Sequence, residues 1–103
     1  MPQKALIIVD MLNDFIDEKG ALYCGAQARA IIPFVRDRLT TSRKNGDLII
    51  FLQDSHDEND LEFTKFPMHC VTDTWGSEII HELVSVPGEK VVPKKRYSGF
   101  YGT

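Results

Sequence analysis

Two short apolar runs, each closed by a carboxylate, restrict the fold of this chain more than any other feature. Ala5-Leu6-Ile7-Ile8-Val9 runs into Asp10, and Leu48-Ile49-Ile50-Phe51-Leu52 runs into Gln53 and Asp54. Strands covered on both faces of a parallel sheet read as continuous apolar stretches rather than as an alternation, so each run predicts such a strand. Between them, from about residue 26 to 45, Ile31, Phe34, Val35 and Leu39 recur at helical spacing among Arg36, Asp37, Arg38 and Arg43. That pattern predicts an amphipathic helix, with Gly46 as its stop. Pro33 removes a backbone donor inside the span, so the helix either kinks there or begins close to it.

Downstream, residues 57–67 form a polar, aperiodic stretch, and loops of that length inside compact domains are usually functional. A short helix is predicted over 76–83, and Glu89-Lys90-Val91-Val92-Pro93 gives a weaker third strand signal bounded by Pro87-Gly88. Strand, helix, strand, helix, strand is the order of right-handed βαβ crossovers, which makes the fold α/β with a parallel sheet.

Composition narrows the function classes. With 103 residues, 43% of them apolar and 26% charged, the chain has room for at most one compact domain. The net charge of −3 and the scattered lysines and arginines lack the basic stripe of a nucleic-acid binder. The opening apolar run falls far short of the roughly 20 residues needed to span a bilayer, so neither a signal peptide nor a membrane anchor is expected. Cys24 and Cys70 share no short metal or redox spacing, and a cytoplasmic chain of this kind keeps both reduced. Three strands with two helices cover little more than one face of a sheet, and an edge strand is left open to pairing. The expectation is therefore a truncated chain, a proteolytic fragment or half of a two-chain assembly, poorly soluble unless something covers the exposed faces.

Ligand sites of open α/β sheets lie beyond the carboxyl ends of the strands. Here those ends carry Asp10, then Asp54 with His56, then Lys94 with Lys95. Each alone also fits a solvated strand end; together they bring carboxylates, an imidazole and an ammonium to one edge. Asp54 and His56 share a face if the strand continues that far, and His69 can reach in from the far end of the loop. Asp, His and His with open positions suit zinc, iron or manganese. Taken alone, the spacing favours a loop-capping His56 and a partly buried, hydrogen-bonded His69.

Ile8-Val9-Asp10-Met11-Leu12-Asn13-Asp14-Phe15 resembles the opening motif of the isochorismatase-like cysteine hydrolases. Asp54-Ser55-His56 followed by Phe66-Pro67-Met68-His69-Cys70 is similar to the nicotinamidase and pyrazinamidase branch, and Lys94-Lys95-Arg96-Tyr97-Ser98-Gly99-Phe100 resembles the segment carrying the family's lysine. The three matches stand in family order along the whole chain.

The resemblance implies a three-layer, Rossmann-like domain with a six-stranded parallel sheet, of which residues 1–103 supply the first three strands and their helices. It implies Asp10 as general base and Lys94 as the catalytic lysine, with Lys95 the fallback. A divalent metal, zinc first and iron or manganese as alternatives, would be held by Asp54, His56 and His69. A fourth ligand stays open among Asp57, Asp60, Glu62 and a water. Phe15 and Phe66 correspond in position to aromatics lining the family's substrate pocket, although tryptophan is commoner at the second site and core packing also accounts for both. The nucleophilic cysteine of the family falls some tens of residues after the lysine motif, so neither Cys24 nor Cys70 occupies its place. The implied reaction is hydrolysis of a carboxamide C–N bond, nicotinamide to nicotinate and ammonia in NAD salvage, in a homo-oligomeric cytoplasmic enzyme. Another small amide, a carbamoyl compound or a vinyl ether is the alternative substrate, and an inactive metal-binding fragment the non-enzymatic alternative.

Overall fold

The computed structural model describes residues 4–103. Three parallel strands, β1 (Ala5–Val9), β2 (Leu48–Asp54) and β3 (Lys90–Lys94), form one sheet in the order β1-β2-β3. Leu6 pairs with Ile49 and Val9 with Leu52, while Asp54 pairs with Lys94. This register sets the carboxyl ends of all three strands side by side. β2 runs two residues beyond its apolar run, so Asp54 lies within the ladder rather than in a loop.

The predicted 26–45 helix is two helices, α2 (Ala26–Ala30) and α3 (Ile32–Lys44), separated at Ile31; α1, a single turn, covers Asn13–Ile16. Pro33 stands in the first turn of α3, where a missing N–H costs nothing because that donor has no helical partner. Arg43 and Lys44 occupy the last turn of α3, facing the negative end of its dipole, and Gly46 leaves the helix with φ +72°.

The helix expected over 76–83 does not form. Two short 3₁₀ turns, Trp75–Ser77 and His81–Leu83, replace it. Long-range backbone bonds take the groups a helix would have used: the Asn13 N–H donates to the Glu78 carbonyl at 3.0 Å and the Ile80 N–H to the Met11 carbonyl at 3.0 Å, around an antiparallel Leu12–Ile79 bridge. Gly76 packs against the Asp14 carboxylate, which leaves no room for a Cβ unless that side chain moves.

The core lies on one face of the sheet. Ile8, Ile49 and Phe51 pack with Ile32 and Leu39 of α3 and with Ile80 and Leu83. On the other face Ile7 and Val9 are about half exposed, at 52% and 51%. The continuous apolar run of β1 thus has one covered and one open face here, where covering on both was expected. Residues after β3 return over β2, with Gly99 against the Leu52 side chain.

Candidate active site

Asp10 leaves β1 with φ +56°, a left-handed conformation uncommon for a residue with a side chain and more typical of functional positions. Its N–H donates to the Leu52 carbonyl at 3.0 Å, and its Oδ1 accepts the Asp54 N–H at 3.1 Å. The carboxylate is thereby tied to the end of the neighbouring strand. Burial pushes the Asp10 carboxyl up from its ordinary value; the hydrogen bond and charge of Lys94 partly oppose this, and the charge of Asp54 adds to it.

Lys94 is 2% exposed. Its Nζ lies 3.1 Å from Asp10 Oδ2 and 3.5 Å from Asp54 Oδ1, and donates to the Arg96 carbonyl at 3.0 Å. Lys95 points the other way, half exposed and bonded to Asp57 Oδ1 and the Ser55 carbonyl. Strand alternation therefore separates the two lysines: Lys94 sits between the carboxylates and Lys95 on the outer face.

His56 and His69 converge on the second oxygen of Asp54. His56 is fully buried, with Nε2 2.8 Å from Asp54 Oδ2 and Nδ1 3.2 Å from Asp60 Oδ2. Its backbone is fixed by a bridge to the 70–72 segment, its N–H donating to the Cys70 carbonyl and its carbonyl accepting the Thr72 N–H, both at 2.8 Å. His69 places Nε2 3.6 Å from Asp54 Oδ2 and donates from Nδ1 to the Pro67 carbonyl at 2.7 Å. That bond leaves Nε2 as the free lone pair. The ligand atoms of Asp54, His56 and His69 lie within 4.8 Å of one another, and those of His56, Asp60 and Glu62 do likewise.

A divalent cation fits this donor set on two counts. A neutral imidazole has one N–H, yet His56 faces a carboxylate at each ring nitrogen. Glu62 Oε2, 3.5 Å from His56 Nε2, is buried with no hydrogen-bond partner among the described residues, a costly state for a carboxylate oxygen. A cation among Asp54, His56, His69 and Glu62 would satisfy both. Of the three side chains considered for a fourth ligand, Asp57 faces Lys95, and Asp60 is engaged by His56, Arg96 and the Glu62 N–H. Of the three, Glu62 is the one with a buried oxygen left without a partner among the described residues. Burial would raise the Asp60 carboxyl, but the Glu62 N–H, His56 and Arg96 together hold it below the ordinary range.

A cleft of about 150 Å³ opens onto these groups, lined by Asp10, Lys94, Asp54, His69, Phe15 and Phe66 among others. Asp10, Lys94, Asp54, His69, Phe15, Phe66 and Glu62 therefore border one space, whereas His56, Lys95, Asp57 and Asp60 do not line it. Phe15 sits 5.7 Å and Phe66 6.3 Å from the His69 ring, centroid to centroid. Phe63, which carried no distinguishing signal in the sequence, stands edge-on to both histidines at 5.5 Å. Leu22 and Tyr97 also line the cleft, Leu22 from an aperiodic segment with no sequence signal.

Neither cysteine is equipped as a nucleophile. Cys70 is fully buried, and burial, reinforced by the charges of Asp54, Asp14 and Asp10, pushes its thiol far above the ordinary range. The thiolate is the reactive form, so Cys70 is inert. Its N–H donates to Asp14 Oδ2 at 2.8 Å, holding a left-handed residue next to His69. Cys24 is exposed, its Sγ donating to the Leu22 carbonyl at 3.5 Å, and it does not line the cleft.

Comparison with known proteins places this geometry. The isochorismatase domain profile matches residues 4–103. The isochorismatase family protein PncA of Bacillus subtilis (strain 168) is 35% identical over 115 residues, covering 98% of this chain and 61% of that protein. Among solved structures, nicotinamidase/pyrazinamidase PncA from Bacillus subtilis superimposes with a TM-score of 0.88 at 37% identity, covering 99% of this chain and 61% of that one. N-carbamoylsarcosine amidase from Thermoplasma acidophilum gives 0.88 at 35% identity, covering 99% and 57%. The pyrazinamidase of Pyrococcus horikoshii in complex with zinc gives 0.84 at 35%, covering 98% and 60%. The chain thus spans about three fifths of the length of the relatives it matches. With its parallel sheet and strand-end cluster, this chain belongs to the isochorismatase family and has the fold of its hydrolases.

Proposed function

We propose that the polypeptide carrying this chain is a nicotinamidase-type cysteine amidohydrolase, converting nicotinamide to nicotinate and ammonia in NAD salvage in the cytoplasm. Residues 1–103 then form the amino-terminal part of one hydrolase domain, and the nucleophilic cysteine comes from sequence beyond them. The observation that carries the reading is the buried set of Asp54, His56, His69 and the orphaned Glu62 oxygen beside the Asp10–Lys94 pair. The intact protein is expected to assemble as a homo-oligomer.

Each residue has a defined task in that reaction. Asp10, its carboxyl raised by burial, takes the thiol proton and passes it to the leaving nitrogen. Lys94, held 3.1 Å from Asp10, keeps a positive charge beside the thiolate and the developing oxyanion. The thiolate sulfur attacks the carboxamide carbon, the C–N bond breaks with release of ammonia, and water hydrolyses the thioester to the acid. Phe15 and Phe66 hold the aromatic ring against the cleft wall and exclude water from it. Asp54, His56, His69 and Glu62 would hold a divalent metal, zinc first and iron or manganese as alternatives, and such a cation would supply Lewis-acid chemistry that orients the pyridine ring.

The test is ammonia release from nicotinamide by the full-length polypeptide, with and without prior chelation. Metal-dependent release supports the reading, and metal-loaded protein that releases none refutes it. Similarity to an N-carbamoylsarcosine amidase favours a second reading, a carbamoyl substrate hydrolysed in the same cleft. Release from an N-carbamoyl amino acid but not from nicotinamide selects it.

A further inference from the structure

Asp60 is 5% exposed at its side chain, and each of its contacts is accounted for. Oδ2 faces His56 Nδ1 at 3.2 Å, Oδ1 accepts the Glu62 N–H at 2.8 Å, and Arg96 Nη1 donates to both oxygens at 3.2 and 3.4 Å. Arg96 is itself fixed, donating from the same nitrogen to the Lys95 carbonyl at 2.7 Å and lying over the Tyr101 ring at 5.8 Å. It stands two positions after Lys94, on the exit from β3, whereas Asp60 and Glu62 belong to the loop after β2.

We propose that Asp60 is a positioning residue for the metal centre, holding the His56 Nδ1 proton so that the Nε2 lone pair faces Asp54, with Arg96 fixing Asp60 from across the loop. The inference rests on the metal-centre reading above and deepens it. A metal-binding imidazole that donates its other N–H to a carboxylate is fixed in one tautomer and made more basic. The same Asp60 carboxylate caps the 3₁₀ turn Leu61–Thr64 that presents Glu62, so two ligands depend on one side chain. Arg96 then links the metal loop to the strand that ends in Lys94, and the metal site and the lysine keep a fixed relation.

Capping and positioning separate experimentally. Asp60→Ser keeps a short side-chain acceptor for the Glu62 N–H but does not reach His56. Zinc affinity of the full-length polypeptide, measured by competition with a chromophoric chelator, is expected to fall by about 10–100-fold in Asp60→Ser, the cost typical of losing such a partner. The metal-free protein is expected to melt somewhat lower, because the His56 and Arg96 contacts are lost, and the visible bands of the cobalt-substituted protein to shift. Arg96→Ala, at a side chain 43% exposed, leaves the fold intact and lowers affinity in the same direction by a smaller factor. Parental affinity and cobalt bands in Asp60→Ser overturn the proposal and leave the metal centre standing. Should Asp60→Ser not fold, an unchanged affinity in Arg96→Ala overturns it. A parent protein that binds neither zinc nor cobalt removes the metal centre and the proposal together.

Discussion

Strand β3 is held at each end by a cation and a carboxylate, and the two ends are built in opposite ways. Just before it, Glu89 receives a two-pronged bond from Arg43 of α3, at 2.7 and 2.8 Å, and accepts the Val86 N–H. Hydrogen bonding to Arg43 is the leading cause that holds Glu89 below the ordinary carboxylate range, and the same bond raises Arg43. At the far end Lys94 is shared between Asp10 and Asp54, and burial leaves Asp10 above its ordinary value. The first arrangement satisfies its charges and stabilises the fold. The second leaves a carboxylate poorly disposed to ionise and an unpartnered Glu62 oxygen close by, the condition expected where a proton must move and a cation must bind.

Breaking the far end should have the larger effect. Lys94→Met leaves Asp10 and Asp54 as neighbouring charges without their cation, so unfolding free energy should fall by about 3–5 kcal/mol, with hydrolysis lost. Denaturant titration and an ammonia assay on the full-length polypeptide check both, and a stable, active Lys94→Met would erase the contrast between the two ends.

Asp10→Asn should dissociate activity from stability. If Asp10 is the base proposed above, its loss should lower kcat/KM of the full-length polypeptide by about 10²–10⁴-fold. Because the folded carboxyl is raised, its contribution to stability is fully present below the unfolded value and is lost as pH rises through the folded value. The neutral amide avoids that loss. Metal-free Asp10→Asn should therefore melt higher than the parent at pH 7 and alongside it at acidic pH; a lower melting temperature at pH 7 would contradict the account.

Glu89→Gln gives the smallest effect and the opposite pattern. It should cost about 1 kcal/mol at neutral pH, since Arg43 keeps partial contact with water, and leave hydrolysis unchanged. Glu89 is depressed in the fold, so its contribution is present above the unfolded carboxylate value and is lost as pH falls through the folded value. The difference in stability between parent and Glu89→Gln should thus vanish in acid, which parallel melts at pH 7 and pH 3 would reveal.

The two ends also differ in how far the sequence disclosed them. Asp10, Asp54 and Lys94 were legible because each closes a strand, and the parallel register carries strand ends to one edge. Pro33 marked the start of α3 because proline is tolerated only in a first helical turn. By contrast, nothing local ties Arg43 to Glu89, which are 46 residues apart. The 76–83 segment was misread as helix for a similar reason: its N–H and carbonyl groups bond to Met11 and Asn13, partners no local pattern discloses. Glu62 could be singled out among three acidic loop residues only once the contacts of Asp57 and Asp60 were known. Phe63 was one aromatic among several until folding set it against both histidines.

The most direct test of the central claim, that the carboxyl end of the sheet buries these charges to hold a cation, is X-ray absorption at the metal edge of the zinc-loaded, full-length polypeptide. The bound zinc should show a shell of nitrogen and oxygen at about 2.0–2.2 Å with the outer scattering of two imidazoles. A sulfur shell at about 2.3 Å, or a spectrum without imidazole scattering, would contradict that claim.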